Sequence, residues 1–542
     1  MYRAVLSRSQ WRNASTLSKN KFALDDRYKL KCGLEIHTQL NTKHKLFSFS
    51  ENRAEDLATP PNKATSHYDL ALPGTQPRLN YEAVLYAAKL ATALNSDINL
   101  VSQFDRKHYF YGDQPQGYQV TQHYQPFAKN GYLRLFGNYE DIKDKEKIIN
   151  IEQIQIEQDT GKSHYSGSSE ENHSLIDLNR SNVPLIELVT KPDFNDLLQI
   201  RAFIKKYQDL VRRLEISTGN LESGSMRVDV NISVNDNARI ELKNLPNTSS
   251  IMNAVKYEYM RQVNIIEKGL EKIELRNSET RGWTGSETVK LRSKETTIDY
   301  RYMPDPELPH ITLSSEVISK VSDSLPKFSD ELLQELMSKP YNLSLKNAKI
   351  LCISGNQNEM YDHEELRQFY KDVCNRFSAQ YASEGLKLPS NWIIHEFLGN
   401  LNKLQVRLST VSKILTPQIF NELVVLIKER KITGSSGKLL LFYIIDSIKN
   451  GTIMSTQKLN LEKLVTEHEL EAVQTIGNDE LEAICQSILA ELTDKSFLSN
   501  LISGKKKSSL KYLVGQGMRL SQGRLNPQNL EDTFKKILDI KW

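Results

Sequence analysis

Only four cysteines occur in 542 residues, Cys32, Cys352, Cys374 and Cys485, and no two form a CxxC pair. That excludes a zinc-ribbon spacing and a dense disulfide framework, and makes a reducing compartment the default. Long apolar runs are missing as well. No stretch reaches the roughly 18 to 20 apolar residues of a bilayer-spanning helix, because Lys, Glu or Asp regularly interrupts the helical patterns, so membrane insertion is not expected. Charge of one sign is scarce: 71 Lys and Arg against 67 Asp and Glu leave a net charge of +4. This is too little to coat a polyanion wholesale, and any nucleic-acid contact must come from local patches. GxGxxG, GxSxG and HExxH are also absent. Gly434-Ser435-Ser436-Gly437-Lys438 lacks the spacing of a phosphate-binding loop, is followed by Leu439, and reads as a turn.

The composition that remains, 39% hydrophobic and 25% charged, is that of a multidomain globular chain with about three or four cores. Its first 24 residues carry Arg3, Arg8, Arg12, Lys19 and Lys21, with no acid before Asp25. This is the composition of an organellar transit peptide over residues 1–26; a solvated basic tail is the alternative, although such tails ordinarily mix signs of charge. From about Lys29 to His310 short alternating runs predict an α+β region with mainly antiparallel strands. In Arg227 to Val234 the residues Val228, Val230, Ile232 and Val234 take one face, while Arg227, Asp229, Asn231 and Ser233 take the other. Tyr81 to Leu94 and Asp196 to Leu214 repeat apolar residues at three and four, as helices do. After Leu308 the pattern turns helical, through a polar, poorly patterned stretch from Ser314 to Glu384.

Three groups of residues could carry chemistry. Glu35 and His37 in GLEIH share one side of a strand, Glu157 lies in IEQDTGK, and Glu187 interrupts the otherwise apolar run PLIELV. A buried carboxylate must be protonated or find a partner, and a cation would serve. Three carboxylates and one imidazole without a thiolate suit a hard or borderline divalent ion, although strand acids pair with Arg or backbone amides more often. The second group joins Arg227, Asp229 and Asn231 to Glu241 and Lys243. It mixes metal-holding acids with phosphate-neutralising cations, and a salt-bridge ladder on a solvated sheet explains it equally well. The third is basic and aromatic: Phe104 to Tyr111, containing Arg106, Lys107, Tyr109 and Tyr111, and Leu291 to Pro304, containing Arg292 and Arg301. Such groups stack bases beside phosphates, or simply pack. Near the C-terminus Leu501 to Arg524 holds Lys505, Lys506, Lys507, Lys511, Arg519 and Arg524 with no acid. That favours a phosphate backbone over a merely solvated face.

Taken together, GLEIHTQLNTKHKLF from Gly33, LPGTQPRLN from Leu72, FDRKHYFYGDQPQGYQVTQ from Phe104, IEQDTGK from Ile156, DLNRSNVPLIELVTKPD from Asp177, GSMRVDVNISV from Gly224, ELKNLPN from Glu241 and KETTIDYRYMPDPELP from Lys294 resemble the B subunits of aspartyl/glutamyl-tRNA amidotransferases. The stretches keep the family's order over residues 30 to 310. SGKKKSSLKYLVGQGM from Ser503 resembles the tail domain of the same family. The resemblance implies a cradle-shaped catalytic domain over 27–312, an all-α domain over 313–412 and a small helical tRNA-binding tail over 413–542. It implies phosphorylation of the γ-carboxylate of Glu-tRNA(Gln) by ATP with Mg²⁺, then amidation by ammonia from a glutaminase A subunit.

A small third stabilising subunit and the glutamyl-tRNA synthetase are the other expected partners, and the mitochondrial matrix is the expected compartment. Glu35, His37, Glu157 and Glu187 would hold the metal, and Asp229, Glu241 and Lys243 would act at the reacting groups. Arg227, Arg292 and Arg301 would meet ATP. Arg106, Lys107, Tyr109, Tyr111, Lys505, Lys506, Lys507 and Lys511 would meet tRNA. Two departures stand out. Ser48, Ser50, Ser66 and Asp69 occupy the positions of a four-cysteine zinc knuckle found in some relatives, so no structural zinc is expected. Gln155 and Gln158 stand where relatives often carry His and Glu.

Overall fold

The structure is a computed structural model that describes residues 24–53, 56, 58–108, 110–166, 173–293, 300–353, 360–453, 459–471, 478–490, 501–502, 508–520, 525 and 527–540. Most of the expected transit segment, together with Tyr109, Lys505, Lys506 and Lys507, lies outside these residues, as does the side chain of Arg292. The chain divides into two compact units, residues 1–328 and 329–542.

The first unit is α+β. Its strands are β1 (Leu30–Gln39), β2 (Asp97–Ile98), β3 (Val101–Ser102), β4 (Asp105–His108), β5 (Tyr118–Thr121), β6 (Ala128–Phe136), β7 (Glu146–Gln158), β8 (Lys162–Ser166), β9 (His173–Asp177), β10 (Pro184–Thr190), β11 (Met226–Val234), β12 (Ile240–Lys243), β13 (Glu279–Trp283), β14 (Thr288–Ser293), β15 (Met303–Pro304) and β16 (Ile311–Thr312). Nine of them form one sheet in the order β14-β13-β12-β11-β1-β10-β7-β6-β2. Every pairing in it is antiparallel except β12 with β13.

The alternation in Arg227 to Val234 is realised in β11, where each second residue is buried. Ile36 of β1, Ile154 and Ile156 of β7, Ile186 and Leu188 of β10 and Leu242 of β12 join the same core. Helices Leu197–Arg213 and Thr248–Glu267 pack over this side. Asp196 caps the first by accepting from the Leu198 amide, and Arg212 and Arg213 lie in its last turn, where positive charge suits the helix dipole. Tyr207 on that helix meets Thr38 of β1 at 2.9 Å, which satisfies the hydroxyl that β1 turns into the core. The opposite side of the sheet is left to polar residues.

The corner between β1 and the helix Tyr81–Ala93 holds the zinc-knuckle positions. Asp69 accepts from Lys45 Nζ (3.2 Å), Ser48 Oγ (3.1 Å), the Ser66 amide (2.7 Å) and Asn182 Nδ2 (2.9 Å), and the Lys45 and Asp69 side chains are both wholly buried. One saturated ion pair thus ties three segments that are distant in sequence.

The second unit is helical. The stretch from Ser314 onward, which carries little apolar pattern, forms helices Ser315–Asp323, Ser329–Met337, Leu345–Cys352 and His363–Gln380, the first of them belonging to the first unit. Local caps compensate for weak periodicity: Ser314, Ser344 and Asp362 each accept from an amide of the first turn. In the second unit Phe369, Phe397 and Phe420 form an aromatic cluster with ring centroids 5.2 to 5.6 Å apart. Gly434 to Lys438 is the first turn of helix Gly434–Lys449, capped by Thr433, and not the turn that its glycines suggest. In the tail, helices Asn478–Ala490, Ser508–Leu520 and Pro527–Ile537 enclose their own core of Cys485, Leu513, Leu530 and Phe534. Gly517 lets two of them approach closely, since a Cβ there would sit 2.9 Å from Leu530.

Breaking the buried pair by Lys45→Met is expected to cost about 3–5 kcal/mol, because Asp69 is left charged without a counterion. Adding Asp69→Leu should recover little of that loss, because it leaves the Ser48 hydroxyl, the Ser66 amide and Asn182 Nδ2 without their acceptor. Urea unfolding of the two variants measures both effects.

Candidate active site

The polar side of the sheet is organised by β1, its central strand. Register sets His37 opposite Glu187 of β10 on one side and opposite Arg227 of β11 on the other, and sets Glu35 opposite Asp229. Directly opposed residues share a face, so these five side chains are neighbours. One strand further on each side, Glu187 opposes Gln155 of β7, which brings Glu157 to the same face, and Asn231 opposes Glu241 of β12. Four expected metal ligands from three strands therefore lie on one surface.

Within it Glu35, His37 and Glu187 offer ligand atoms that all lie within 4.8 Å of one another. Glu157 stands beside this trio, its Oε2 3.6 Å from His37 Nε2, while Glu35 Oε1 is 4.0 Å from the same nitrogen. Asp229, Glu241 and Lys243 form the adjoining group: Lys243 Nζ is 2.7 Å from Asp229 and 3.2 Å from Glu241, and Thr280 donates to Glu241 at 2.8 Å.

The charges explain what this surface needs. Burial raises the carboxyl groups of Glu35 and Glu157, with Asp229 and Glu241 pushing Glu35 further, and Lys107 pulling Glu157 back. Burial, Glu157 and Glu35 push Glu187 well above the ordinary carboxylate value. The acids repel one another and lie beyond full neutralisation by nearby cations, which is the condition a divalent ion relieves. His37 is held down to about 3, by burial first and then by the positive charges of Arg227 and Lys243. Its imidazole is neutral at physiological pH, as a metal ligand must be. Oxygen-rich donors with one imidazole nitrogen fit Mg²⁺ or Mn²⁺.

Cations flank the acids on two sides. Lys107 of β4 is drawn down by burial, but Glu157, Tyr302, Glu187 and Tyr300 outweigh that and keep its ammonium charged. It lies 5.1 Å over the Tyr300 ring. Arg227 sits between the acids and Asp159, whose Oδ1 is 2.9 Å from its Nη2.

Other expected contacts are placed differently. Arg106 is engaged by Asp305 (2.7 Å) and Glu307 (3.1 Å) and stacks 4.2 Å over Tyr118, so its charge is matched inside the domain. Tyr111 is two-thirds exposed. Arg301 is exposed at a φ of 45°, and its carbonyl meets His108 Nδ1 at 2.9 Å. Lys511 lies exposed on helix Ser508–Leu520 of the second unit. Gln155 accepts from Thr121 (3.1 Å) and Gln158 donates to Gln116 (3.0 Å), so both departures from the family pattern are built into the wall behind Glu157.

Tyr302, part of the basic and aromatic group of the sequence, lies close enough to Lys107, Glu157 and Glu187 for their charges to act on its phenol. Two residues escaped sequence reasoning: His123, whose ring stacks on Tyr302 with centroids 3.8 Å apart, and Asp159, buried two residues beyond Glu157. The only sequence signal for it was its place in IEQDTGK.

Comparison with known proteins adds the family. Residues 30–319 match the GatB/GatE catalytic domain and residues 375–538 match the GatB domain. A protein of Candida glabrata, named as the B subunit of mitochondrial glutamyl-tRNA(Gln) amidotransferase, is 66% identical across 100% of both chains. Proteins with the same name from Zygosaccharomyces rouxii and Saccharomyces cerevisiae are 58% and 59% identical, covering 96% and 95% of this chain and 97% and 95% of their own.

The raised carboxyls bind protons more tightly in the folded than in the unfolded chain. Without a cation they therefore erode stability as pH climbs from the ordinary carboxylate range through their raised values, and a divalent ion removes that loss. The rise in melting temperature caused by Mn²⁺ should accordingly grow as pH climbs above the ordinary carboxylate range. Glu187→Gln should reduce it sharply. His37→Asn should shrink its size without changing its course with pH, since His37 is held down to about 3. Thermal melts across pH, with and without Mn²⁺, check all three.

Proposed function

Because this chain belongs to the GatB/GatE family, we propose that it is the B subunit of a mitochondrial glutamyl-tRNA(Gln) amidotransferase, activating the glutamate of Glu-tRNA(Gln) with ATP. The observation that carries this reading is the convergence of Glu35, His37, Glu157 and Glu187 on one sheet face, directly beside Lys243 and Arg227.

A carboxylate oxygen is a poor leaving group towards ammonia, so the side chain of glutamate must first be phosphorylated. Its γ-carboxylate attacks the γ-phosphorus of ATP and ADP departs. Ammonia then adds to the carbonyl carbon of the acyl phosphate and inorganic phosphate leaves, giving Gln-tRNA(Gln). Bound Mg²⁺, held by Glu35, His37, Glu157 and Glu187, would neutralise phosphate charge and orient its oxygens. Lys243, charged and braced by Asp229 and Glu241, meets the negative charge that builds on the transferred group. Arg227 supplies a second cation on the same strand as Asp229. Lys107 and the rings of Tyr300 and Tyr302 line the edge nearest Glu157 and offer a cation and aromatic faces to a charged tRNA end.

The ammonia comes from a glutaminase A subunit, with a small third subunit stabilising the assembly and the glutamyl-tRNA synthetase delivering the substrate. The mitochondrial names of the relatives and the acid-free first 24 residues support import into the matrix. No helix among the described residues is long and apolar enough to cross a membrane. The basic residues from Lys505 to Arg524 serve as a contact for tRNA phosphates.

In the reconstituted complex Glu157→Ala and Glu187→Ala should each lower Gln-tRNA formation by roughly 10²-fold or more while Glu-tRNA binding persists. Normal rates in either variant would make this chain a tRNA scaffold with the chemistry elsewhere. Deleting residues after about Thr416 should weaken tRNA binding and flatten its dependence on salt, which filter-binding titrations at several ionic strengths measure.

A further inference from the structure

Arg227 projects from β11 opposite His37, with the acids on one side and Asp159 on the other. Asp159 is almost wholly buried and clamped on every side. Its Oδ2 accepts from Gln39 Nε2 at 2.9 Å, and its Oδ1 accepts from the Thr160 amide at 2.9 Å. Its own backbone amide donates to Val183 (2.8 Å), and its carbonyl accepts from the Asn182 amide (2.9 Å). Arg180 approaches Oδ2 at 3.6 Å, but it directs its hydrogen bonds to the carbonyls of Thr160 and Gly161. Asp159 is thus a fixed anion, held by groups that take no part in the acidic cluster.

Arg227 is the reverse case. Its Nη2 lies 2.9 Å from Asp159 Oδ1 in an ion contact that is not aligned as a hydrogen bond. Both Nε and Nη2 are buried with no hydrogen-bond partner among the described residues. The Arg227 side chain nonetheless keeps 39% of its surface exposed, so with Nη2 held by Asp159 the accessible part of the guanidinium is left to meet an anion such as the oxygens of a phosphoryl group.

We propose that Asp159 is the positioning residue that holds Arg227 by its Nη2 and leaves the accessible side of the guanidinium directed at a phosphoryl group of ATP. The proposal rests on the reading of this face as the site of ATP-dependent activation. Asp159 touches neither substrate nor metal; it acts by cancelling part of the charge of Arg227 and fixing its rotamer before ATP binds, so that the ordering cost is met in advance.

The test uses the reconstituted complex with ATP and Glu-tRNA varied separately, in D159N, Q39L, R227A and the D159N/R227A double variant. D159N is expected to raise KM for ATP about tenfold with kcat changed less than about threefold and KM for Glu-tRNA unchanged. Q39L, which removes a brace of Asp159 without touching the ion pair, should raise KM for ATP about threefold and covers the case in which D159N fails to fold. The double variant should be no worse than R227A alone, since both changes remove one function. Effects of D159N and R227A that multiply, or an unchanged KM for ATP in both D159N and Q39L, overturn the proposal. So does a D159N that keeps its melting temperature yet lowers kcat and raises both KM values together. A wild-type complex that forms no ADP in response to Glu-tRNA would instead overturn the activation reading itself. Normal ADP formation in the wild type, with D159N indistinguishable from it, removes only the positioning role.

Discussion

Mutual repulsion of carboxylates on a half-buried sheet face is the constraint to which the first unit is built. Glu35, Glu157, Glu187, Asp229 and Glu241 sit on neighbouring strands where solvent screens them poorly. Such a face would be untenable as mere structure, since apolar residues of equal size would fold more stably. The surrounding architecture keeps the acids in place all the same. An apolar core locks the far side of the same strands, and Lys107, Lys243 and Arg227 offset part of the charge without reaching all of it. The unbalanced remainder is negative charge that a divalent cation would offset.

How the two sides of the sheet divide their labour follows from period two alone. In β1 the residues Leu34 and Ile36 stabilise the fold, each contributing about 1.5–3 kcal/mol by burial, while Glu35 and His37, interleaved with them, present the chemistry. A slip of one residue in register would exchange the two sets. The same residues that build the core therefore also specify the site, and β1, bonded to a strand on each side, leaves its ligands little freedom to move.

Much of this was legible in the sequence, and the reasons differ by element. The alternation from Arg227 to Val234 announced β11 and its polar face, and the pairing of Glu35 with His37 followed from spacing. Glu187 was visible as an acid inside an apolar run. Register was not visible: nothing local says that His37 meets Glu187 and Arg227, or that Glu157 lies two strands away from it, because antiparallel pairing over such separations depends on the whole sheet. The ion pairs of Arg106 were not visible either, since its partners, Asp305 and Glu307, lie 199 and 201 residues on. Asp159 carried no signal of its own for the same reason, its partner being Arg227. The helices between Ser315 and Gln380 were obscured because caps and a few buried residues hold them, where an unbroken apolar stripe would have been readable.

The place of β1 in the sheet also governs the order in which the molecule can be made. Among the described residues it is the first strand to be synthesised, yet both of its neighbours, β10 and β11, begin only at Pro184 and Met226. Until the chain has grown past Thr190 both edges of β1 are unpaired, and until it passes Val234 one edge still is, the state in which sheets join the wrong neighbour. A protein threaded in from its N-terminus meets the same interval on arrival. Holding that strand apart from other chains, by a chaperone or by rapid completion of the domain, is a debt the architecture incurs for building its site on the first strand to emerge.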